Sequence, residues 1–296
     1  MQRLRNLQLD VLVDLAGHAT ANRMPVLARR VAPLQLCWLD WFDTTGVAAI
    51  DAWVSDPWLT PEGSAQRYSE RLVRLASGRF CYSPPDCAPS PTRLGEGDPV
   101  FASFNRLAKL NDGVLDAWTA ILRAVPNARL ALRARHLGEA QTRAHVAARF
   151  AARGIAPERL DLGGHLAYAE LLEAYRSVDI ALDPFPFSGC TTTCDALWMG
   201  VPVLTAPGRQ PASRSAASIL TTAGLDEWIA PDAAQYVSRA VSFGGQSARL
   251  AELRATLRAR LRGSALMDEA RFVADLESLF RDIWRRHCLG QDPRAT

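Results

Sequence analysis

Lysine is all but missing from this sequence. Lysine and arginine together number 34, and Lys109 is the single lysine among them. A chain that takes arginine wherever a generic positive charge serves marks Lys109 as a place where arginine will not do. An ammonium is compact and approaches one anionic oxygen closely, whereas a guanidinium presents a broad planar fork. The plain alternative is a surface lysine left behind by drift. Other absences narrow the field further. No run approaches the roughly 18 apolar residues of a membrane-spanning helix. The charged start Met1–Asn6 is not followed by an apolar segment, so no secretory signal is expected. A formal net charge of +3 is too small to argue for nucleic acid, and neither nucleic acid nor membrane is expected as a partner. The six cysteines are scattered. Cys190 and Cys194 stand one helical turn apart, but no second pair with metal-ligand spacing accompanies them. Reduced thiols and a cytoplasmic location are expected. A Walker A loop, a Gly-x-Gly-x-x-Gly run, an Asp-x-Asp metal motif and internal repeats are all absent.

What is present is ordinary globular material: 296 residues, 48% hydrophobic and 22% charged, enough for one large or two medium domains with cores of their own. Apolar runs at Leu9–Leu15, Leu34–Leu39 and Ala52–Ser55 read as strands, with a short helix over Arg23–Arg30. Prolines and glycines then cluster over 81–99, the best candidate for a linker. Beyond it, strands at Val100–Phe104, Leu130–Arg133, Leu160–Leu162, Val178–Leu182 and Val203–Thr205 alternate with helices at Asp112–Ala124, Gln141–Arg153, Tyr168–Tyr175 and Thr192–Met199. Further helices are expected at Ala212–Thr222 and Ala248–Leu261, and a long amphipathic one at Asp268–His287. Alternation of this kind predicts an α/β fold with parallel sheets covered on both faces. The expected division is a first lobe over 1–80, a linker over 81–99, a second lobe over 100–267, and a terminal helix and tail over 268–296. Leu9–Leu15 reads as a buried strand with almost nothing before it, so the first lobe is expected to be incomplete and the chain a fragment that begins within a domain.

Ligands bind outside the carboxyl ends of parallel strands, and three clusters fall there. After the strand ending at Asp183 come a rigid turn, Pro184–Gly189, and a helix opened by Thr191, Thr192 and Thr193. Free N–H groups and the dipole at a helix start hold a phosphate, Gly189 lets the backbone approach, and the hydroxyls add donors. Asp195, about one turn in, suits a ribose diol. A simple threonine N-cap accounts for one of the three residues, but threonine is a poor helix former in a row of three. The second cluster, Trp38–Gly46, offers Asp40, Asp43, Thr44 and Thr45 towards a cleft, or else a capped loop. The third, Leu15–Thr20, offers His18 as a site residue or as a structural histidine.

The order Asp14–His18, Arg29–Gln35, Trp38–Gly46, Ser103–Lys109, Val178–Asp183, Gly189–Gly200 and Ala212–Ser218 resembles the catalytic region of the O-linked N-acetylglucosamine transferases, glycosyltransferase family 41, including its bacterial SPINDLY-like members. The resemblance runs from about residue 9 to about residue 285. It implies a GT-B fold, with two Rossmann-like lobes and a nucleotide sugar in the cleft. It implies inverting transfer from a UDP-sugar, commonly UDP-N-acetylglucosamine, to a protein Ser or Thr hydroxyl (EC 2.4 class), with no metal or other cofactor. On this resemblance Lys109 neutralises the leaving diphosphate and acts as a catalytic group with His18. Asn105, Arg106, Gly189, Thr191, Thr192, Thr193 and Asp195 bind the nucleotide, and Asp40, Asp43, Thr44 and Thr45 form the loop near sugar and acceptor.

Departures from the family pattern are few. Arg106 stands where an amide residue is common, and Leu171 where a histidine lies near the uracil. Cys190 replaces a histidine, glycine or threonine. Asp40 and Asp43 replace glycines, a change that would alter donor choice. The upstream part of the first lobe, with the histidine proposed to assist the acceptor, and the tetratricopeptide repeats that grip protein partners have no counterpart in the sequence. Two readings therefore stand: an active glycosyltransferase, including one that donates a different sugar such as glucose, or an inactive module that binds a UDP-sugar or a protein.

Overall fold

A computed structural model describes residues 2–64, 67–95 and 97–291. The chain divides into two units. The first takes in the chain up to Cys81, the stretch Arg209–Ala212 and the chain from Asp268 onward; the second takes in Tyr82–Gly208 and Ser213–Met267.

In the first unit a short helix, α1 (Gln2–Asn6), precedes β1 (Val11–Asp14), α2 (Met24–Leu27), β2 (Leu34–Cys37), β3 (Ala52–Ser55) and β4 (Arg71–Arg74). The four strands are parallel and lie in the order β1-β2-β3-β4. Side chains alternate across a strand, and here both faces find cover. Leu34, Leu36, Ala52 and Val54 pack against Phe272 and Ile283 of the terminal helix, Glu269–Cys288. Cys37 and Trp53 point the other way, to Met24, Leu27, Ile50 and Leu59. Burial on both faces is why β2 and β3 read as nearly continuous apolar runs. The exception inside β2 is Gln35, which is fully buried and satisfied. Its amide donates to the carbonyls of Leu27 and Ala49 at 2.8 and 2.9 Å and its oxygen accepts from Val31 N at 3.1 Å. Truncation there would strand backbone groups at a cost of about 1–3 kcal/mol each.

The second unit holds β5 (Val100–Ser103), α3 (Asp112–Ala124), β6 (Arg129–Arg133), α4 (Ala140–Ala151), β7 (Leu160–Gly163), α5 (Tyr168–Ala174), β8 (Ile180–Leu182), α6 (Thr191–Trp198), β9 (Val203–Leu204), α7 (Ser215–Thr222), α8 (Ala233–Gly244) and α9 (Ser247–Arg262). Its parallel sheet runs β7-β6-β5-β8-β9. The chain builds outward from β5 in one direction, then returns and builds outward from β8 in the other. The reversal between β5 and β8 opens a crevice at their carboxyl ends, the place where doubly wound sheets bind ligands. Among the described residues no helix is long and apolar enough to cross a membrane.

Most expected elements are present with shifted ends; the helix Asp112–Ala124 is present as read. Three elements were not expected: α1, β4 and α8. The α1 helix buries no residue, which leaves no periodic pattern to read. The stretch 82–99 is fastened to the second unit. Arg93 makes a two-point pair with Asp179 at 2.6 and 2.9 Å, and Leu94 N donates to Arg176 O at 2.8 Å. Nearby, a cavity of about 710 Å³ lies at the amino ends of β5 and β8. Its charged wall is already engaged: besides the Arg93–Asp179 pair, buried Arg254 donates to the carbonyls of Pro91, Met199 and Val178. Burial lowers the Arg254 guanidinium to about 10.

Candidate functional site

Lys109 sits in a single helical turn, Leu107–Lys109, just past the carboxyl end of β5. Its ammonium is drawn inward and donates to Asn105 Oδ1 at 2.9 Å and to Ser188 O at 2.7 Å. It also lies 4.7 Å from the centroid of the Phe187 ring. An ammonium has three N–H donors, so two are engaged among the described residues and one is left for a ligand oxygen. Burial lowers the Lys109 pKa, and the Asp183 carboxylate and the Cys190 thiol oppose that shift, while Arg106 adds to it. Asn111 ties the same two loops a second time, capping α3 at Val114 N and donating to Phe185 O at 2.6 Å. Lys109 and Asn111 thus tie the loop after β5 to the loop after β8, at the switch point.

The turn after β8 is organised by Asp183. This carboxylate is buried, accepts from Gly189 N at 2.6 Å and from Thr205 Oγ1 at 2.6 Å, and is pushed up to about 7 by burial against the opposing pull of these bonds and of Lys109. Gly189 leaves no room for a side chain. A Cβ there would lie 2.7 Å from Thr192 Oγ1 and 2.9 Å from Thr193 Oγ1. The helix α6 starts immediately afterwards. Its three leading threonines do not share a direction, because successive helix positions are rotated by about 100°. Thr191 is exposed, Thr192 turns towards Asn105 Oδ1 at 3.4 Å, and Thr193 is buried. Arg106 is exposed on the turn that carries Lys109. Two small recesses meet at Ser103 and Asn105: one of about 20 Å³ reaches Arg106, Lys109 and Trp118, and one of about 10 Å³ reaches Asp183, Thr192 and Thr193.

Asp195 lies within α6 and is buried. One of its oxygens accepts from both Tyr82 Oη at 3.0 Å and Tyr168 Oη at 2.9 Å. Burial raises its pKa and the two phenols oppose the rise. Tyr168 is still 44% exposed, so the buried carboxylate meets the surface through this phenol. The sequence pattern did not single out Tyr82 or Tyr168, since their link to Asp195 joins residues far apart in the chain.

The remaining site candidates form a second cluster, in the first unit. His18 follows β1 and is exposed; its Nε2 lies 2.7 Å from Thr45 O, and its ring stands edge-on to Trp41 with centroids 5.1 Å apart. Gly17 allows this. Its φ is +53°, and a Cβ would fall 2.3 Å from Trp41 Cβ. Asp40 and Asp43 are exposed; Asp43 Oδ1 accepts from Thr44 N at 2.7 Å. Leu39, at the start of this loop, adopts φ +81°, a conformation that costs a non-glycine residue of order 1–3 kcal/mol. Arg79 is fully buried against the Trp53 ring and donates to Trp41 O at 2.9 Å. Glu70, just before β4 and marked by no local sequence pattern, accepts from Thr44 Oγ1 at 2.6 Å and from Thr45 N at 2.7 Å.

The family model described as glycosyl transferase family 41 matches residues 1–82 and 90–276. A Petunia hybrida protein named as a probable UDP-N-acetylglucosamine–peptide N-acetylglucosaminyltransferase SPINDLY is 37% identical over 294 residues, which are 98% of this chain and 32% of that protein. A solved lysine-to-methionine mutant of the Thermobaculum terrenum O-GlcNAc transferase is 41% identical with a TM-score of 0.91, covering 98% of this chain and 55% of that one. At the level of fold alone, an Anabaena protein solved with UDP and glucose matches at 12% identity and a TM-score of 0.57, over 95% of this chain and 80% of its own. The fold is of the GT-B type, with two Rossmann-like α/β lobes. The chain spans about a third of the length of the curated relatives it matches.

Proposed function

This chain belongs to glycosyltransferase family 41, and from that premise we propose that its second unit holds a UDP-sugar at the β5–β8 switch point and serves inverting transfer of the sugar, N-acetylglucosamine, to Ser or Thr hydroxyls of proteins. One observation carries the reading: the only lysine of the chain is drawn inward beside the start of α6, with one donor left over. Charge on the leaving diphosphate grows as the bond to the sugar breaks, and donors already in place stabilise that charge without reorganising. Lys109, Arg106 and the free N–H groups opening α6 are the countercharges in this reading, so no metal is assigned a role. Asn105 orients Lys109. Gly189 lets the diphosphate approach the backbone. Thr191 and Thr192 are the hydroxyls placed to reach it, while buried Thr193 supports the turn. Asp195, with Tyr168, takes the ribose. His18 and the loop of Asp40, Asp43, Thr44 and Thr45 are assigned to sugar and acceptor. The names of the relatives support the donor and the protein acceptor. A tetratricopeptide region is the partner assigned to hold that acceptor. Six unbridged cysteines suit a reducing, cytoplasmic location.

The test is incubation of the chain with UDP-N-acetylglucosamine and a Ser/Thr-rich acceptor, with and without EDTA, read by mass spectrometry. The expected result is one N-acetylhexosamine per modified hydroxyl at a rate EDTA does not change. Activity abolished by EDTA and restored by a divalent ion would contradict the metal-free assignment. UDP binding without transfer would assign the chain to the second reading, a UDP-sugar-binding module.

A further inference from the structure

We propose that Glu70 is a positioning residue for the reaction: it clamps the Thr44–Thr45 loop so that the Thr45 carbonyl holds the His18 ring in one tautomer, with Nδ1 facing outward as an acceptor. The inference rests on the reading that this loop and His18 border the sugar and acceptor.

Glu70 is buried, and among the described residues every hydrogen bond it accepts comes from this loop or its neighbour Ser69. Oε1 accepts from Thr45 N at 2.7 Å and from Thr45 Oγ1. Oε2 accepts from Thr44 Oγ1 at 2.6 Å and from Ser69 Oγ at 3.0 Å. A carboxylate accepts on both oxygens and donates nothing, so all four groups, one backbone N–H and three hydroxyls, can point their hydrogens at it. The residue so gripped, Thr45, points its carbonyl at His18 Nε2, 2.7 Å away. A carbonyl oxygen can only accept, so Nε2 must carry the hydrogen, and in the neutral ring Nδ1 is then the acceptor. Trp41 closes the other side of the arrangement. It packs edge-on to the His18 ring, and its Nε1 donates to Thr44 O at 3.1 Å. The ring is therefore oriented by a loop whose own conformation is set by one carboxylate. The positioning of an acid–base group is sensitive, since a displacement of about 1 Å costs on the order of a hundredfold in rate.

Glu70→Gln keeps the shape but replaces one acceptor oxygen with an amide, so the Thr44 and Ser69 hydroxyls must turn round to accept and the charge-assisted grip on the loop is lost. The experiment has two readouts on the full chain. In nitrogen-resolved NMR at about pH 8, where an ordinary histidine is neutral, His18 is identified by comparison with His18→Gln. The wild type is expected to show the single Nε2–H tautomer, and Glu70→Gln a mixture of both. In the transfer assay, kcat is expected to fall about a hundredfold with the affinity for UDP unchanged, because the nucleotide groups lie in the other unit. A merely structural role would lower the melting temperature and leave the tautomer and kcat alone; that result overturns the proposal. If Glu70→Gln does not fold, Thr45→Val removes one of the four donors, keeps the backbone, and carries the same two outcomes. Failure of the wild type to bind UDP counts against the nucleotide reading only, because the His18 tautomer needs no ligand to be measured.

Discussion

Lys109→Ala is expected to weaken UDP binding about a hundredfold, as one charge-assisted hydrogen bond in a partly desolvated site is worth about 1.5–3 kcal/mol. The loss is specific to an ammonium. Nζ sits between Asn105 Oδ1 and Ser188 O at 2.9 and 2.7 Å, a gap that admits a point-like group with donors in three directions. A planar guanidinium in the same place would have to leave one of these acceptors or push the turn at Ser188 aside. Lys109→Arg should therefore restore only part of the affinity. Isothermal titration of the three chains with UDP decides the matter. If the arginine variant binds like the wild type, the scarcity of lysine in this sequence says nothing about the site.

The second large effect concerns stability and its dependence on pH. The carboxyl of Asp183 is raised from 3.8 to about 7, chiefly by burial. Between those values the folded chain keeps a proton that the unfolded chain has released. The stability contributed by the neutral carboxyl is thus fully present below the unfolded value and is lost as pH rises through about 7. Over the whole interval this amounts to about 4 kcal/mol. Asp183→Asn cannot ionise. It keeps an oxygen for Gly189 N and turns its amide towards Thr205 Oγ1, which can accept. In urea unfolding followed at pH 5 and pH 8, the stability of the wild type relative to the variant should fall by roughly 3 kcal/mol. A difference that stays flat with pH would mean that Asp183 is ionised throughout, in which case its bonds from Gly189 and Thr205 outweigh its burial. The same residue links fold and site, since above pH 7 its charge faces Lys109 and below that it does not.

Much of this was legible from residue patterns, and the exceptions have physical causes. The alternation of apolar runs with helical periodicity in the second unit read directly, because β5, β6 and β8 are buried on both faces and α3 shows one clear apolar stripe. The family motifs marked Lys109 and the start of α6. By contrast, β4 is Arg71-Leu-Val-Arg74, two apolar residues between arginines, all partly exposed; its identity as a strand comes from pairing with β3, which no local pattern records. Glu70 was missed with it, because a carboxylate gains its role here only when Thr44 and Thr45, some twenty-five residues earlier, fold onto it. Helix α8 is amphipathic, with Tyr236, Ala240 and Gly244 on its buried face; its periodicity was there to be read and was passed over. The three threonines of α6 looked like three equivalent donors in the sequence. Helical rotation separates them and buries Thr193. Asp195 looked like a free ribose ligand, and the fold gives it two tyrosine partners drawn from distant segments.

The central claim is that the crevice where the second sheet reverses holds the diphosphate of a nucleotide. Its most direct test is calorimetric titration of the wild-type chain with UDP beside uridine, without added metal. The predicted result is binding near the micromolar range for UDP, about −8 kcal/mol, with uridine at least a hundredfold weaker, because Lys109, Arg106 and the start of α6 have no diphosphate to hold. A folded chain that binds neither, or that binds uridine as tightly as UDP, would contradict the account.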